Sequence, residues 1–220
     1  MHSKSLLIAL ALMAALVGLV GPAYACPSAN GPSGLWNVPT APAEPQDTYS
    51  LFVNHHTLDN ELTRFGANIG TGLETPLEIG VTAYEPDVGD SRTVFNLKFQ
   101  AMQEKEKAPS VAVGAIDLTQ EGDRTFYLVA TKRLDVPEKG KEPHPVFGTV
   151  GVGANNSNAV LDGVFFGISY QLSDTSAVLL EHDAEDLNIG LRHHISDSTV
   201  FDVASVNNRL YLGLSYNGRR

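Results

Sequence analysis

Leu77–Tyr84 reads LEIGVTAY and Thr93–Ala101 reads TVFNLKFQA. Successive side chains of an extended chain point to opposite faces. Leu77, Ile79, Val81 and Ala83 therefore share one face, and Glu78, Gly80, Thr82 and Tyr84 the other. In the second stretch Phe95, Leu97, Phe99 and Ala101 lie opposite Asn96, Lys98 and Gln100. The same period of two sets Leu187, Ile189, Leu191, His193 and Ile195 against Asn188, Gly190, Arg192 and His194. It also sets Leu210, Leu212, Leu214 and Tyr216 against Tyr211, Gly213 and Ser215. One face is apolar and the other polar or small, which is the pattern of β-strands with two unlike surroundings.

Outward from these stretches, runs of about ten residues alternate with turn signals, giving about twelve candidate strands. They are Tyr49–Thr57, Arg64–Leu73, Leu77–Tyr84, Thr93–Ala101, Ser110–Leu118, Thr125–Leu134, Val146–Ala154, Val164–Leu172, Ser176–Asp183, Asp186–Ile195, Thr199–Val206 and Arg209–Tyr216. LSDTS at Leu172–Ser176, Asp183–Asp186 and Asn207–Asn208 read as tight hairpin turns, and Met102–Pro109 and Val136–Pro145 as longer loops. Short turns on one rim and long loops on the other is the outer-membrane arrangement. Gly66, Gly70, Gly80, Gly114, Gly151, Gly153, Gly167, Gly190 and Gly213 fall mainly on the polar face, where a narrow barrel interior crowds side chains. Tyr49, Tyr84, Phe147, Tyr170 and Tyr216 suit aromatic girdles near strand ends. The reading is all-β: an antiparallel up-and-down meander barrel. Whether it closes within one chain turns on whether the first and last strands pair.

The chain opens as an exported protein. Lys4 precedes an apolar run from Leu6 to Val20, then Gly21, Pro22 and the small residues Ala23 and Ala25, so residues 1–25 read as a signal peptide cleaved before Cys26. Cys26 is the only cysteine, so no intrachain disulfide forms. At the first mature position it is also the place where a bacterial lipoprotein would be acylated, although Ala23 and Tyr24 fit that processing poorly. Residues 26–47, rich in Pro and Gly, read as an extended lead-in, with Trp36 as its one sizeable packing group, and residues 48–220 as the barrel domain. After the signal segment no apolar run is long enough for a spanning helix, so any membrane crossing is by strands. The net charge of −10 argues against a nucleic-acid partner.

The densest ionisable cluster is Glu181, His182, Asp183, Glu185 and Asp186, followed by Arg192, His193 and His194. Alternation puts Glu181 and Asp183 on one face of a strand. The expected partners of these carboxylates are the cations of a narrow polar lumen, Lys98, Lys132, Arg133 and Arg192, with Asn188 on the same polar face. The adjacent pairs His55–His56 and His193–His194 point to opposite faces and are not pairs in space. No serine sits in a nucleophile elbow and no Gly-rich loop opens a helix; neither a cofactor nor a metal is expected.

Several blocks, in order, carry a family likeness. They are GPSGLWNVPTA at Gly31–Ala41, TPLEIGVTAYE at Thr75–Glu85, FNLKFQ at Phe95–Gln100 and PSVAVGAIDL at Pro109–Leu118. FYLVATKRL at Phe126–Leu134, GVGAN at Gly151–Asn155 and LLEHDAEDLNIGLRHHI at Leu179–Ile195 follow. The series resembles the YjbH-like family of outer-membrane proteins linked to exopolysaccharide production. This chain resembles one unit of the longer members, and its terminal Arg219 and Arg220 stand where barrel assembly usually reads an aromatic. The resemblance implies a non-enzymatic β-barrel that assists production or export of an extracellular polysaccharide, with outer-membrane lipid and other export components as partners. Two alternatives stay open. One is a periplasmic module that holds sugar chains on an open sheet, with Trp36 and tyrosines as stacking platforms; the other is an outer-membrane lipoprotein, or an enzyme that uses the Glu181 and Asp183 carboxylates as acid and base.

Overall fold

Twelve antiparallel strands, each hydrogen-bonded to its neighbours in sequence, make up the molecule in a computed structural model that describes residues 26–57, 61–71, 76–122, 124–135, 145–155 and 161–220. The expected signal peptide lies outside the described residues, as does most of the Val136–Pro145 loop. The strands are Thr48–His56 (β1), Leu62–Gly70 (β2), Leu77–Pro86 (β3), Arg92–Met102 (β4), Ser110–Ile116 (β5) and Thr125–Asp135 (β6). Pro145–Asn155 (β7), Gly163–Ser173 (β8), Ser176–His182 (β9), Leu187–His194 (β10), Thr199–Val206 (β11) and Arg209–Arg219 (β12) complete the set. β1 pairs with β12 from Thr48 opposite Arg219 to His56 opposite Tyr211. The sheet is therefore a closed meander barrel without a free edge, which rules out the open-sheet alternative.

Alternation has sorted the side chains as the sequence suggests. Outward-facing Phe65 (β2), Ile79 (β3), Phe95 (β4), Val113 (β5), Phe126 (β6), Val150 (β7), Val164 (β8), Ile189 (β10), Phe201 (β11) and Leu210 (β12) are all exposed. Leu51 of β1 and Leu180 of β9 continue the apolar ring, half-buried. Polar groups turn inward: Ser50, Asn68, Glu78, Asn96, Lys98, Thr131, Thr149, Glu181, Asn188 and Asp202 are all buried, beside inward apolar groups such as Phe52, Tyr127, Val129, Phe165 and Leu179. An apolar outer face with so many polar groups turned inward departs from the arrangement of a water-soluble core.

Glycine on the inner face makes room for large neighbours. A Cβ on Gly151 would overlap the ring of Phe165, so the smallest residue there is what allows an inward phenylalanine to lie flat against the wall.

Three expectations about the rims change. β1 begins and β12 ends at one rim, which also carries the loop 103–109 together with the two-residue turn at Asp174–Thr175. The opposite rim mixes the Asn207–Asn208 turn with the longer 117–124 connection. Loop length thus does not separate the two rims, because each hairpin's turn is set by its own register. Tyr84 is not a girdle residue: it points inward and is buried, being even-numbered in β3 with Glu78 and Thr82. Phe147 likewise shares the inward parity of Thr149 and Gly151. Tyr49 and Tyr216 lie together near the terminal rim, ring centroids 6.4 Å apart, Tyr49 half-buried and Tyr216 buried.

Candidate functional site in the lumen

The barrel is not empty. Residues 26–45, expected as an extended lead-in, instead double back inside it and are buried almost throughout from Cys26 to Ala41. Two isolated bridges, Pro27 with Ser33 and Gly34 with Pro39, fold the segment on itself. The Gly34 N–H donates to the Cys26 carbonyl at 2.8 Å and the Leu35 N–H to Val38 at 2.9 Å. A segment this rich in proline cannot join a sheet, yet its main-chain groups still need partners once they are out of water. The inner wall supplies them.

Glu181 is the main anchor. β9 carries it inward beside Asn188 of β10. Its carboxylate accepts three consecutive main-chain N–H groups, from Trp36 at 3.0 Å, Asn37 at 2.9 Å and Val38 at 3.2 Å. Asn188 Nδ2 donates to the same carboxylate at 3.1 Å and to Asp183 at 3.0 Å, and Asp183 also accepts from Asn37 Nδ2 at 2.7 Å. A second anchor stands across the lumen. Glu78 of β3 accepts the N–H groups of Ser33 and Glu44, both at 2.8 Å, and the Ser33 hydroxyl. Lys98 of β4, fully buried, lies 3.2 Å from Glu78 and donates to the Ser33 carbonyl at 2.9 Å. The third anchor is Arg192, which pairs with Asp202 through two bonds of 2.8 and 3.1 Å. It also donates to the carbonyls of Gly34 at 3.0 Å and Leu35 at 3.3 Å. Asn68, Asn96 and Thr131 add bonds to Gly31, Asn30 and Ala41.

Between the anchors the segment buries an apolar knot. Trp36 has no exposed surface and clusters with Leu35, Val38, Tyr127, Val129, Leu161, Phe165 and Leu179. Gly167 is the seat of Leu35, since a Cβ there would overlap the leucine side chain. Loss of a buried tryptophan side chain costs about 3–5 kcal/mol, so this knot contributes a large part of what holds the plug in place.

Of the residues singled out from sequence, Trp36, Lys98, Glu181, Asp183, Asn188 and Arg192 meet in this one arrangement. Their partners differ from those expected. The carboxylates Glu181 and Asp183 are satisfied by plug amides and Asn188, while the cations Lys98 and Arg192 pair with Glu78 and Asp202. Lys132 and Arg133 are not lumen cations. Lys132 has the outward parity of Leu134, pairs with Glu104 at 3.0 Å and bonds the carbonyls of Lys105 and Glu106. Arg133 is exposed at the terminal rim, where β6 has left the barrel interior. Trp36, packed on all sides, offers no exposed stacking platform. Cys26 is buried within the seated segment. Glu78 and Asp202 escaped selection, although their inward parity was readable.

No family model matches the chain, and no curated protein matches it either.

Proposed function

We propose that the protein is a non-enzymatic outer-membrane β-barrel that assists production or export of an extracellular polysaccharide. The observation that carries the membrane part is the apolar ring contributed by strand after strand around a closed barrel that turns its buried polar groups inward. A continuous apolar ring on a closed barrel with no unpaired edge fits hydrocarbon as its surroundings. The ordered blocks from Gly31 to Ile195 support the polysaccharide part. The seated plug supports an assisting role, since a chain passing through the lumen would first have to displace residues 26–45.

The test is fractionation of the native host with a gel-mobility assay, together with measurement of secreted polysaccharide in a deletion strain. The expected result is an outer-membrane protein whose mobility changes on boiling, and reduced polysaccharide that the intact gene restores. A soluble periplasmic monomer would overturn the membrane assignment, and unchanged polysaccharide the export role.

A further inference from the structure

Five neighbouring strands carry an inward row of cationic and aromatic side chains at the rim away from the termini, and the plug anchors use none of them. The row is Tyr211 on β12, His56 on β1, Arg64 on β2, Tyr84 on β3 and Arg92 on β4. Register places His56 opposite Tyr211, Arg64 opposite Tyr84 and Tyr84 opposite Arg92. The Arg64 guanidinium stands 5.4 Å from the centre of the Tyr84 ring and that of Arg92 stands 4.8 Å from it. Arg64 Nη1 lies 3.1 Å from His56 Nε2. Arginine only donates, so this imidazole nitrogen accepts. The His56 ring in turn meets Tyr211 edge-on at 5.1 Å.

Two guanidinium groups thus share one phenol ring, and among the described residues no carboxylate reaches either of them at salt-bridge distance. Of the acids at this rim, Asp117 on the β5–β6 connection accepts from Thr119 Oγ1 and the N–H groups of Glu121 and Gly122, and Glu85 accepts from Ser91 Oγ; Glu121 on the same connection and Asp87 and Asp90 on the β3–β4 connection are not at salt-bridge distance from either guanidinium. Glu61 pairs instead with His55 on the outer face. Arg209, which opens β12 at the same rim, adds another positive charge. Arg64 is only 9 % exposed, and its Nε is buried without any hydrogen-bond partner. A buried cation lacking a counter-charge is costly, and the planar donor fork of arginine fits a two-oxygen anion. Arg92 is exposed at the mouth, so the row leads from solvent to a buried, unfilled donor.

We propose that this row is a binding site for an oxyanion, a carboxylate or phosphate group carried by a ligand that enters at the rim opposite the termini. That the carrier is an acidic glycan rests on the export reading above; the oxyanion contact does not.

The test is calorimetry on the full chain in detergent with four probes: an oligouronate, a neutral glucan of equal length, inorganic phosphate and inorganic sulfate. Wild type is expected to bind the oligouronate or phosphate, with affinity falling as salt rises, and to ignore the glucan. Tighter oligouronate than phosphate binding assigns a carboxylated glycan, and the reverse assigns a phosphate group. Arg92→Gln, at an exposed position, is expected to weaken binding at least about fivefold and to flatten the salt dependence. Arg64→Lys keeps the charge but not the fork, and is expected to weaken binding while leaving the gel-mobility signature of the folded barrel intact. Equal binding of glucan and oligouronate, no binding of any anion, or wild-type affinity in both folded variants would overturn the proposal. None of these outcomes changes where the protein fractionates, so failure here is distinct from failure of the envelope reading.

Discussion

Glu181 shows how much one side chain can do inside a barrel. Its two oxygens take three consecutive plug amides and one asparagine N–H. Each buried donor left without an acceptor costs about 1–3 kcal/mol. Glu181→Ala is therefore expected to unseat the Trp36–Val38 turn, and Glu181→Gln, which keeps one acceptor oxygen, to do so less. Amide exchange measured residue by residue should show at least roughly tenfold faster exchange at Trp36, Asn37 and Val38 in the alanine variant, with the glutamine variant between. Unchanged protection would show that the carboxylate is not the anchor. Sequence made Glu181 and Asp183 conspicuous and placed them correctly on one face. It could not supply their partners, because those are main-chain groups about 145 positions away, and a main-chain N–H leaves no mark on the residue that carries it.

Strands and plug were unequally legible. A period of two is written into the strands by the difference between an apolar outer face and an inner wall that carries the polar groups, so β4 could be read from Phe95, Leu97 and Phe99 against Asn96 and Lys98. The Leu62 start of β2 and the Arg219 end of β12 lie beyond the expected limits, because ladder pairing with neighbours extends strands past the residues whose pattern announces them. Residues 26–45 have no period, and proline and glycine argued only for what the segment cannot be. Its fold is imposed by the wall, chiefly through Glu78, Lys98, Glu181 and Arg192. The same logic explains why Lys132 and Arg133 were misplaced: adjacent residues on a strand cannot both face inward, and both lie at the end of β6. The Glu78–Lys98 pair lends itself to a double-mutant cycle. Lys98→Met alone leaves a buried carboxylate without its cation and is expected to cost about 3–5 kcal/mol. Adding Glu78→Gln should cost less than the sum of the two single changes, read from unfolding in detergent or lipid. Strict additivity would mean that the two groups are not coupled.

At the scale of the whole molecule, closure and amphipathicity depend on each other. Pairing of β1 with β12 removes the last free edge, and only then can the outward ring of Phe65, Phe95, Phe126, Val150, Val164 and Ile189 face hydrocarbon without exposing main-chain groups to it. The interior then holds buried ion pairs, Glu78 with Lys98 and Asp202 with Arg192, beside the apolar knot, while the guanidinium groups of the Arg64–Arg92 row at the far mouth have no carboxylate at salt-bridge distance among the described residues. The lipid-facing assignment is tested most directly by scanning β4. With Cys26 changed to serine, single cysteines placed in turn from Thr93 to Ala101 would carry a spin label, and the barrel would be reconstituted in lipid vesicles. Accessibility to oxygen, which partitions into hydrocarbon, is expected to peak at 95, 97 and 99 and to fall at 96, 98 and 100. A profile without that period, or labels at 95, 97 and 99 that respond instead to a water-soluble nickel chelate, would contradict the account.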